Sequence, residues 1–387
     1  MNEALLKPEI QEFIFSYAAS SSKLAFSGSP FPEVSTSELV QQIESRRTIE
    51  KKLPTWFATR NLLYPQKLNL EQTSSEATAT YKTSLVQGKT LADITGGFGI
   101  DAFYFAEKFE NVFHFETNEA LSHLAAHNFE VFAKRNILCN AVDGIQGIAD
   151  SKFDVIYVDP SRRNESKGKV FFLNDCEPNV PEHLEYLLDR CHTLLVKTSP
   201  MLDISVGMQE LKYVAEVHIV ALHNEVKEVL WKLKREASET LPIHTVNITS
   251  TETEIFTFMP SAAVETVFSN PLRFLYEPNA AILKGGGFQY ISEAYKLKKL
   301  HKHSHLFTSE ALRDFPGRTF LIKKVVSYTR KEMRGITFAK ANITTRNFPE
   351  SVATLRKKWK IKEGGAIYLF FTTLENEDKI MLICAKV

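Results

Sequence analysis

The stretch LADITGGFGIDAFYFA, residues 91–106, decides the fold. Its first residues are mostly apolar, a glycine-rich segment follows, and helix-forming residues come next, which indicates a strand, a tight loop and a helix. Gly97, Gly99 and Ala102 fit the pattern G-x-G-x-x-A of dinucleotide-binding loops, although this spacing alone arises readily by chance. The stretch therefore predicts a cofactor cradle between the first strand and the first helix of an α/β sheet.

Short apolar runs alternate with helical stretches over the next hundred residues. The expected strands are 90–95, 111–116, 137–142, 153–159, 192–198 and 215–222, and the expected helices are 100–108, 119–134 and 181–190. Such alternation is typical of right-handed βαβ units and of a parallel, Rossmann-like doubly wound sheet. Residues 224–236 fit either a strand or a helix. Residues 1–85 have helical spacing, and the segments beyond 239 predict small α+β domains.

Four of these strands end at or near a carboxylate, which separates the candidate cofactors. Asp93 is unfavourable beside a pyrophosphate but suits a cation, and S-adenosylmethionine carries both an ammonium and a sulfonium. Glu116 is placed to accept hydrogen bonds from ribose hydroxyls, and Asp143 from an adenine amino group. Asp159 follows the fourth strand. Taken singly, Asp93 or Asp143 could equally be a helix cap or a turn residue.

The motif after the fourth strand predicts the acceptor side of the site. Its carboxylate and nearby backbone carbonyls could hold an exocyclic amine, and we take as catalytic Asp159, Pro160, Ser161 and Arg162. A base would stack on Phe171, Phe172 or the arginine planes, while Arg162 and Arg163 could instead bind a phosphate or lie exposed in a loop. No cysteine lies in DPSRR or KTSP, so if S-adenosylmethionine donates its methyl group here, we expect N- or O-methylation without a covalent cysteine intermediate.

Further polar residues are predicted to line the pocket. Lys197, Ser199 and Pro200 end the fifth strand and are expected beside the acceptor. Gln72, Ser74 and Ser75 precede the first strand and could contact the cofactor, although a capping segment explains them equally well. The histidines of HKHSH (301–305) have no carboxylate or cysteine near them in the sequence, so we expect no metal.

Charge and composition set the remaining expectations. The 387 residues carry a net charge of +1, but residues 295–360 contain 17 Lys or Arg against 4 Asp or Glu. Such a basic segment favours binding to nucleic acid, and a solvated surface is the alternative. Four scattered cysteines predict a reducing cytoplasm. The first residues do not resemble a secretory signal, and no apolar run is long enough to span a membrane.

The segment DITGGFG (93–99) resembles the first motif of class I S-adenosylmethionine-dependent methyltransferases, with Thr95 in place of the first glycine. The resemblance implies that S-adenosylmethionine is bound by Asp93, Thr95, Gly96, Gly97, Phe98, Gly99, Glu116, Thr117 and Asp143, with Gln72 and Ser75 nearby. The segments NLEQTSSEATATYK (69–82), VDPSRRN (158–164), LVKTSPMLDIS (195–205), YEPNAAILKGGG (276–287) and KANITTRNFPESVATLRKKWKIKEGG (340–365) are more closely similar to one bacterial group of these enzymes, whose members carry ferredoxin-like and C-terminal THUMP-like domains.

The residue pattern together with this second resemblance, which covers about residue 50 to the end, predicts four domains: a helical region at 1–85, the methyltransferase domain at 86–238, a ferredoxin-like domain at 239–310 and a basic THUMP-like domain at 311–387. Because THUMP domains dock RNA in RNA-modifying enzymes, it implies tRNA or rRNA as the substrate, bound in part by Arg346, Lys357 and Lys358. The alternatives are methylation of a protein or small molecule, a module that binds the cofactor without catalysis and, least favoured, a nicotinamide-dependent oxidoreductase. The oligomeric state is left open.

Overall fold

A computed structural model describes residues 2–162, 172–236, 240–260 and 264–387. The chain divides into two compact units, one formed by residues 1–215 and 229–239, the other by residues 216–228 and 240–387.

The first unit begins with short helices, as predicted. They are a 3-10 helix at Glu3–Leu6 and α-helices α1 (Pro8–Ser16), α2 (Ser21–Ser27), α3 (Thr36–Thr48), α4 (Pro54–Ala58), α5 (Lys67–Gln72) and α6 (Glu76–Ser84). Serine caps fix several of the starts, since Ser20, Ser35 and Ser75 each accept a hydrogen bond from the first turn of the helix that follows. The apolar faces of the 3-10 helix, α1, α2 and α3 form one core that includes Ile10, Leu39 and other buried aliphatic residues.

A mixed sheet follows in the same unit. Its strands are β1 (Thr90–Asp93), β2 (Asn111–Phe115), β3 (Ile137–Asn140), β4 (Phe153–Val158), β7 (Cys191–Thr198) and β9 (Glu225–Leu233), and a short pair is formed by β5 (Ser161–Arg162) and β6 (Cys176–Glu177). The order is β3-β2-β1-β4-β7-β9, with β9 antiparallel to β7 and the other pairs parallel. The strand order reverses between β1 and β4, which is where doubly wound sheets bind their ligands.

Helices connect these strands. They are α7 (Ile100–Phe105), α8 (Glu119–Val131), α9 (Gly144–Gly147), α10 (Val180–Leu188) and α11 (Ile204–Glu210), with a 3-10 helix at Leu173–Asp175. The predicted Rossmann-like doubly wound sheet is confirmed, with elements that end up to three residues earlier than expected. Residues 225–233 are a strand because His223 and Asn224 both have positive φ, at 51° and 65°, which suits a two-residue hairpin turn after β8 (Val214–Leu222).

The second unit contains two sheet regions. Strand β8 pairs in parallel with β10 (Ile243–Ile248), which pairs antiparallel with β11 (Thr253–Phe258). The other sheet has the order β13-β14-β12-β15-β18-β17-β16. Its strands are β12 (Phe274–Pro278), β13 (Lys298–Lys299), β14 (Phe307–Ser309), β15 (Gly317–Ser327), β16 (Asn342–Arg346), β17 (Ile367–Thr373) and β18 (Lys379–Lys386), and the helices are α12 (Ala280–Gly285), α13 (Phe288–Ala294), α14 (Arg330–Arg334) and α15 (Val352–Trp359).

This seven-stranded sheet crosses the predicted boundary at residue 310, because β12 pairs directly with β15. Aromatic residues of the basic segment, including Tyr328, Phe348 and Trp359, pack against its core rather than forming an exposed stacking surface. His301 and His305 lie in the turn between β13 and β14.

None of the four cysteines is in a disulfide. Among the helices of the described ranges, none has both the length and the apolar character that a bilayer crossing requires.

Candidate active site at the carboxyl ends of the strands

The glycine loop between β1 and α7 has little room for side chains. Gly97 and Gly99 have φ of +52° and +87°, in the left-handed region that favours glycine. A Cβ atom on Gly96 would lie 2.3 Å from Nε2 of His114, and one on Gly99 would lie 2.4 Å from Cζ of Phe129. The loop is therefore held close to β2 and α8, and its backbone faces the ends of the strands.

Asp93 and Thr95 join the end of β1 to the end of β4. The Asp93 carboxylate is 1% exposed and accepts a hydrogen bond from the Thr95 backbone N–H at 3.1 Å. The Thr95 hydroxyl accepts a hydrogen bond from the Asp159 N–H at 2.7 Å and donates to Asp93 Oδ1 at 3.5 Å. Thr95 is thus a structural link that a glycine could not supply, which accounts for its departure from the usual motif.

Burial raises the pKa of Asp93 well above its usual value, and the neighbouring carboxylate of Asp101 raises it further. A carboxyl group in this state is stabilised in its ionised form by an approaching cation. The carboxylates of Asp159 and Glu116 also raise the pKa, so the end of β1 lies among acidic groups, and these favour a positively charged ligand over an anionic one.

Glu116 directly follows β2 and accepts hydrogen bonds from the glycine loop and from the residues after it. Its Oε2 accepts a hydrogen bond from the Gly97 N–H at 2.8 Å, and its Oε1 accepts one from the Asn118 N–H at 2.8 Å. Thr117 is exposed beside it and donates from its hydroxyl to Glu116 Oε1 at 3.4 Å. The half-buried Glu116 is thereby oriented at the place predicted for a ribose-binding acid.

Asp143 and Phe98 also have clear structural roles. Asp143 follows β3 and caps α9, because its carboxylate accepts a hydrogen bond from the Gln146 N–H at 3.0 Å. Phe98 is 2% exposed, and its ring centroid lies 5.0 Å from that of Trp56. The Phe98 side chain therefore packs into the core, and its backbone is the part available to the loop.

On the acceptor side, Asp159 forms an ion pair with Lys197, which brings together two residues predicted separately. Pro160 is buried, whereas Ser161 is exposed at the start of β5. Ser199 and Pro200 follow β7, and the Ser199 hydroxyl accepts a hydrogen bond from the Met201 N–H at 3.2 Å.

Part of the predicted acceptor side is not described. Arg163 and Phe171 lie outside the described residues, as does the side chain of Arg162. Phe172 is described and is 42% exposed.

A buried polar network next to Asp93 was not foreseen from the sequence. Lys82 is fully buried, and its ammonium lies 3.2 Å from Oδ1 of Asp101. Oδ2 of Asp101 accepts hydrogen bonds from Ser74 and Tyr157, each at 2.8 Å. Burial alone would raise the pKa of Asp101, but the two lysines Lys82 and Lys197 and these hydrogen bonds lower it below its usual value.

The two remaining predicted contacts before β1 lie close to this network in the sequence. Gln72 is exposed at the end of α5, and Ser75 caps α6 by accepting a hydrogen bond from the Thr78 N–H at 3.2 Å. Residues 72–82 therefore stabilise the fold through the Ser75 cap and through the buried ion pair of Lys82.

The basic residues predicted to bind substrate belong to the second unit. Arg346 and Arg318 both pair with Glu277, which is 3% exposed. Lys358 pairs with Glu350 at 2.9 Å. Lys357 is exposed on α15 and, within the described part of the chain, forms no ion pair, so it is the predicted contact most readily available to a phosphate.

A cavity of about 720 Å³ lies at the opposite, amino-terminal ends of the first unit's strands, lined in part by Gly88, Asp154 and His192. It is distant from the glycine loop and from the strand-end acids. We therefore do not assign it to the candidate site.

Comparison with known proteins agrees with this architecture. A ferredoxin-like domain model matches residues 274–316, and a THUMP-like domain model matches residues 317–386. A crystal structure of a "putative methyltransferase" from Porphyromonas gingivalis W83 is 31% identical, covers 100% of this chain and 98% of its own, and superimposes with a TM-score of 0.89. No curated protein matches the chain.

More distant structures match only part of the chain. An rRNA methylase from Streptococcus thermophilus is 15% identical and covers 41% of this chain and 94% of its own, with a TM-score of 0.30. A tRNA m1G37 methyltransferase from M. jannaschii is 12% identical and covers 42% and 50%, with a TM-score of 0.29. At these scores neither structure informs on the activity of this chain.

The identity over the full length shows that this chain belongs to the same family as the P. gingivalis protein, a family with C-terminal ferredoxin-like and THUMP-like domains. The family resemblance predicted from the sequence is confirmed.

Proposed function

We propose that this protein is an S-adenosylmethionine-dependent methyltransferase that acts on RNA, with N-methylation of a tRNA or rRNA base as the favoured reaction. The observation that carries the proposal is the convergence of Asp93, Glu116, Asp143 and Asp159 on the carboxyl ends of four neighbouring strands around the glycine loop.

The residues of the site fit S-adenosylmethionine. Glu116 is oriented by backbone N–H groups, which suits a carboxylate that accepts ribose hydroxyls. Gly96 and Gly99 lie so close to His114 and Phe129 that no side chain fits at either position, and only backbone atoms can contact a ligand there. Asp93 lies near the carboxylates of Asp159 and Glu116, and such a cluster of acidic groups favours a cationic partner. A dinucleotide would set its pyrophosphate against the same buried carboxyl group.

When bound, the cofactor supplies a methyl group on a sulfonium. The protein's part is then to align the acceptor and to manage its proton. As a carboxylate, Asp159 accepts a hydrogen bond from an exocyclic amine and keeps the nitrogen lone pair directed at the methyl carbon. Its backbone is fixed by the bond to Thr95, and its side chain is held by Lys197. These two contacts restrict the position of Asp159 before the substrate arrives.

RNA is favoured over protein by the surface of the second unit. Between residues 317 and 365, all of which the structure describes, nine exposed cationic side chains form no ion pair: Lys323, Lys324, Arg330, Lys331, Arg334, Lys340, Lys357, Lys360 and Lys362. Cations without carboxylate partners gain affinity for phosphates by releasing counterions. The match to a THUMP-like domain over residues 317–386 supports the same substrate class.

Transfer of tritiated methyl groups tests the proposal. The full chain is incubated with labelled S-adenosylmethionine and either unmodified total RNA or a protein extract, and we expect label in RNA. Asp159→Ala removes the hydrogen-bond acceptor, so we expect cofactor affinity to persist while transfer falls at least about 100-fold. Glu182→Ala, which removes an exposed acid at the start of α10, is the matched control and should retain full activity.

Three results would count against the proposal. Label found only in protein would refute RNA as the substrate, and full activity of Asp159→Ala would remove Asp159 from the chemistry. A covalent adduct with 5-fluoropyrimidine RNA would overturn the expected direct transfer.

A further inference from the structure

Two histidines and a glutamate meet on one face of the β8-β10-β11 region. His218 of β8 and His244 of β10 are register partners, and their rings stack with centroids 4.4 Å apart and planes at 14°. Glu216 lies two residues before His218 on the same strand, so it points to the same face. Its Oε2 is 3.2 Å from His218 Nε2.

The three side chains each offer one ligand atom, and these atoms all lie within 4.8 Å of one another. Two donors bound to one tetrahedral zinc ion are separated by about 3.4 Å, given bond lengths near 2.1 Å. The Glu216–His218 pair already has this spacing. Closing the largest separation from 4.8 Å to this value takes about 1.4 Å, and because the two rings are stacked nearly parallel, one imidazole must also turn so that its lone pair points at the ion.

A hydroxyl next to the cluster orients one of the rings. Thr257 of β11 is the register partner of His244, and its Oγ1 lies 2.8 Å from His244 Nδ1. When Nδ1 carries the hydrogen and donates to Thr257, the lone pair of the ring is on Nε2, which is the form in which neutral imidazole ligates a metal. Ligand histidines in metalloproteins are commonly held by such a bond from the other ring nitrogen.

Accessibility also suits a metal site. His218 is 4% exposed, whereas Glu216 and His244 are partly exposed, so an ion can enter from solvent and still be anchored to the sheet. The opposite face is covered by α12, where a Cβ atom on Gly285 would lie 2.9 Å from Ile219. The strands are thus fixed from behind, and the three ligand residues project from a supported backbone.

From these observations we propose that Glu216, His218 and His244 form a binding site for a divalent transition-metal ion of the zinc class, completed by water. The ion ties β8 to β10, two strands that are neighbours in space but are separated in the chain by the β9 hairpin. The site is remote in the sequence from the HKHSH segment, and Zn²⁺ binding there would overturn the expectation that the protein binds no metal. It is independent of the proposed methyl transfer.

Metal titration of the full chain, freed of metal by chelation, tests this site. We expect one equivalent of Zn²⁺ to bind and to raise the melting temperature, and Co²⁺ to give a visible spectrum without a thiolate charge-transfer band. His244→Ala should weaken Zn²⁺ binding at least about tenfold, and Glu216→Gln, which preserves the shape of the side chain, should also weaken it. His123→Ala removes an exposed histidine on α8 and should change nothing.

Far-UV circular dichroism of each variant establishes that it is folded before the titration is interpreted. The proposal is wrong if the unmodified chain binds no stoichiometric Zn²⁺, if His244→Ala binds it as tightly as the unmodified chain, or if the Co²⁺ spectrum shows thiolate ligation by cysteine.

Discussion

Replacing Thr95 by the glycine usual in this motif is expected to damage the protein. The Thr95 hydroxyl accepts the Asp159 N–H at 2.7 Å, and losing that hydrogen bond costs about 1 kcal/mol. Glycine also increases the conformational entropy of the unfolded chain, which lowers the free energy of unfolding by roughly a further 0.4 to 1 kcal/mol. Thr95→Gly should therefore lower the free energy of unfolding by about 2 kcal/mol, roughly a 30-fold change in the folding equilibrium.

Urea unfolding followed by tryptophan fluorescence measures this change, because Trp56 packs on Phe98 of the same loop. Thr95→Ser retains the hydroxyl and should remain within about 0.5 kcal/mol of the unmodified protein. Thr95→Val retains the shape without the hydroxyl and should lose about 1 kcal/mol or more, since the Asp159 N–H is left without its acceptor. The reasoning is refuted if Thr95→Gly unfolds at the same urea concentration as the unmodified protein, or if Thr95→Ser loses as much as Thr95→Gly.

Three further predictions follow from the charges. The folded state keeps a proton on Asp93 at pH values above about 4, where the unfolded chain has released it, so the free energy of unfolding falls as pH rises from about 4 toward the raised pKa. Asp93→Asn should remove this loss, so the variant should gain more stability over the unmodified protein at pH 8 than at pH 5 in urea titrations. The same variant should bind the cofactor more weakly. Lys82→Met leaves the buried Asp101 without the lysine of its ion pair and should lower the free energy of unfolding by about 3 to 5 kcal/mol. The double variant with Asp101→Asn should lose less than the sum of the two single variants. An additive result in the same urea assay would rule out the coupling. Lys357→Glu should weaken RNA binding and reduce the slope of log affinity against log salt concentration by about one unit. Lys51→Glu changes an exposed lysine outside the basic segment and should leave both unchanged. Equal slopes for the two variants in filter binding would argue against a phosphate contact.

The sheet and the strand-end acids could be predicted because they depend on local pattern. Short apolar runs define strands, glycines mark the loop, and parallel strands bring their carboxyl ends to one edge. Asp93, Glu116 and Asp159 therefore lie at the expected strand ends. Their assignment to cofactor and substrate stays a prediction, as do the domain boundaries.

Contacts between distant segments could not be predicted in this way. The pairing of Lys82 with Asp101 depends on how α6 packs against α7, and nothing in the local sequence distinguishes this lysine from a solvated one. His218 and His244 are 26 positions apart and meet only because β10 pairs with β8 rather than with β9. The role of Thr95 likewise requires the position of Asp159 on another strand.

The cofactor assignment is tested most directly by isothermal titration calorimetry of the full chain with S-adenosylmethionine and, separately, with NAD. We expect one molecule of S-adenosylmethionine to bind per chain, with affinity that rises with pH because the bound cation favours the ionised form of Asp93, and no binding of NAD. Absence of S-adenosylmethionine binding, or saturable binding of NAD at this site, would contradict the assignment.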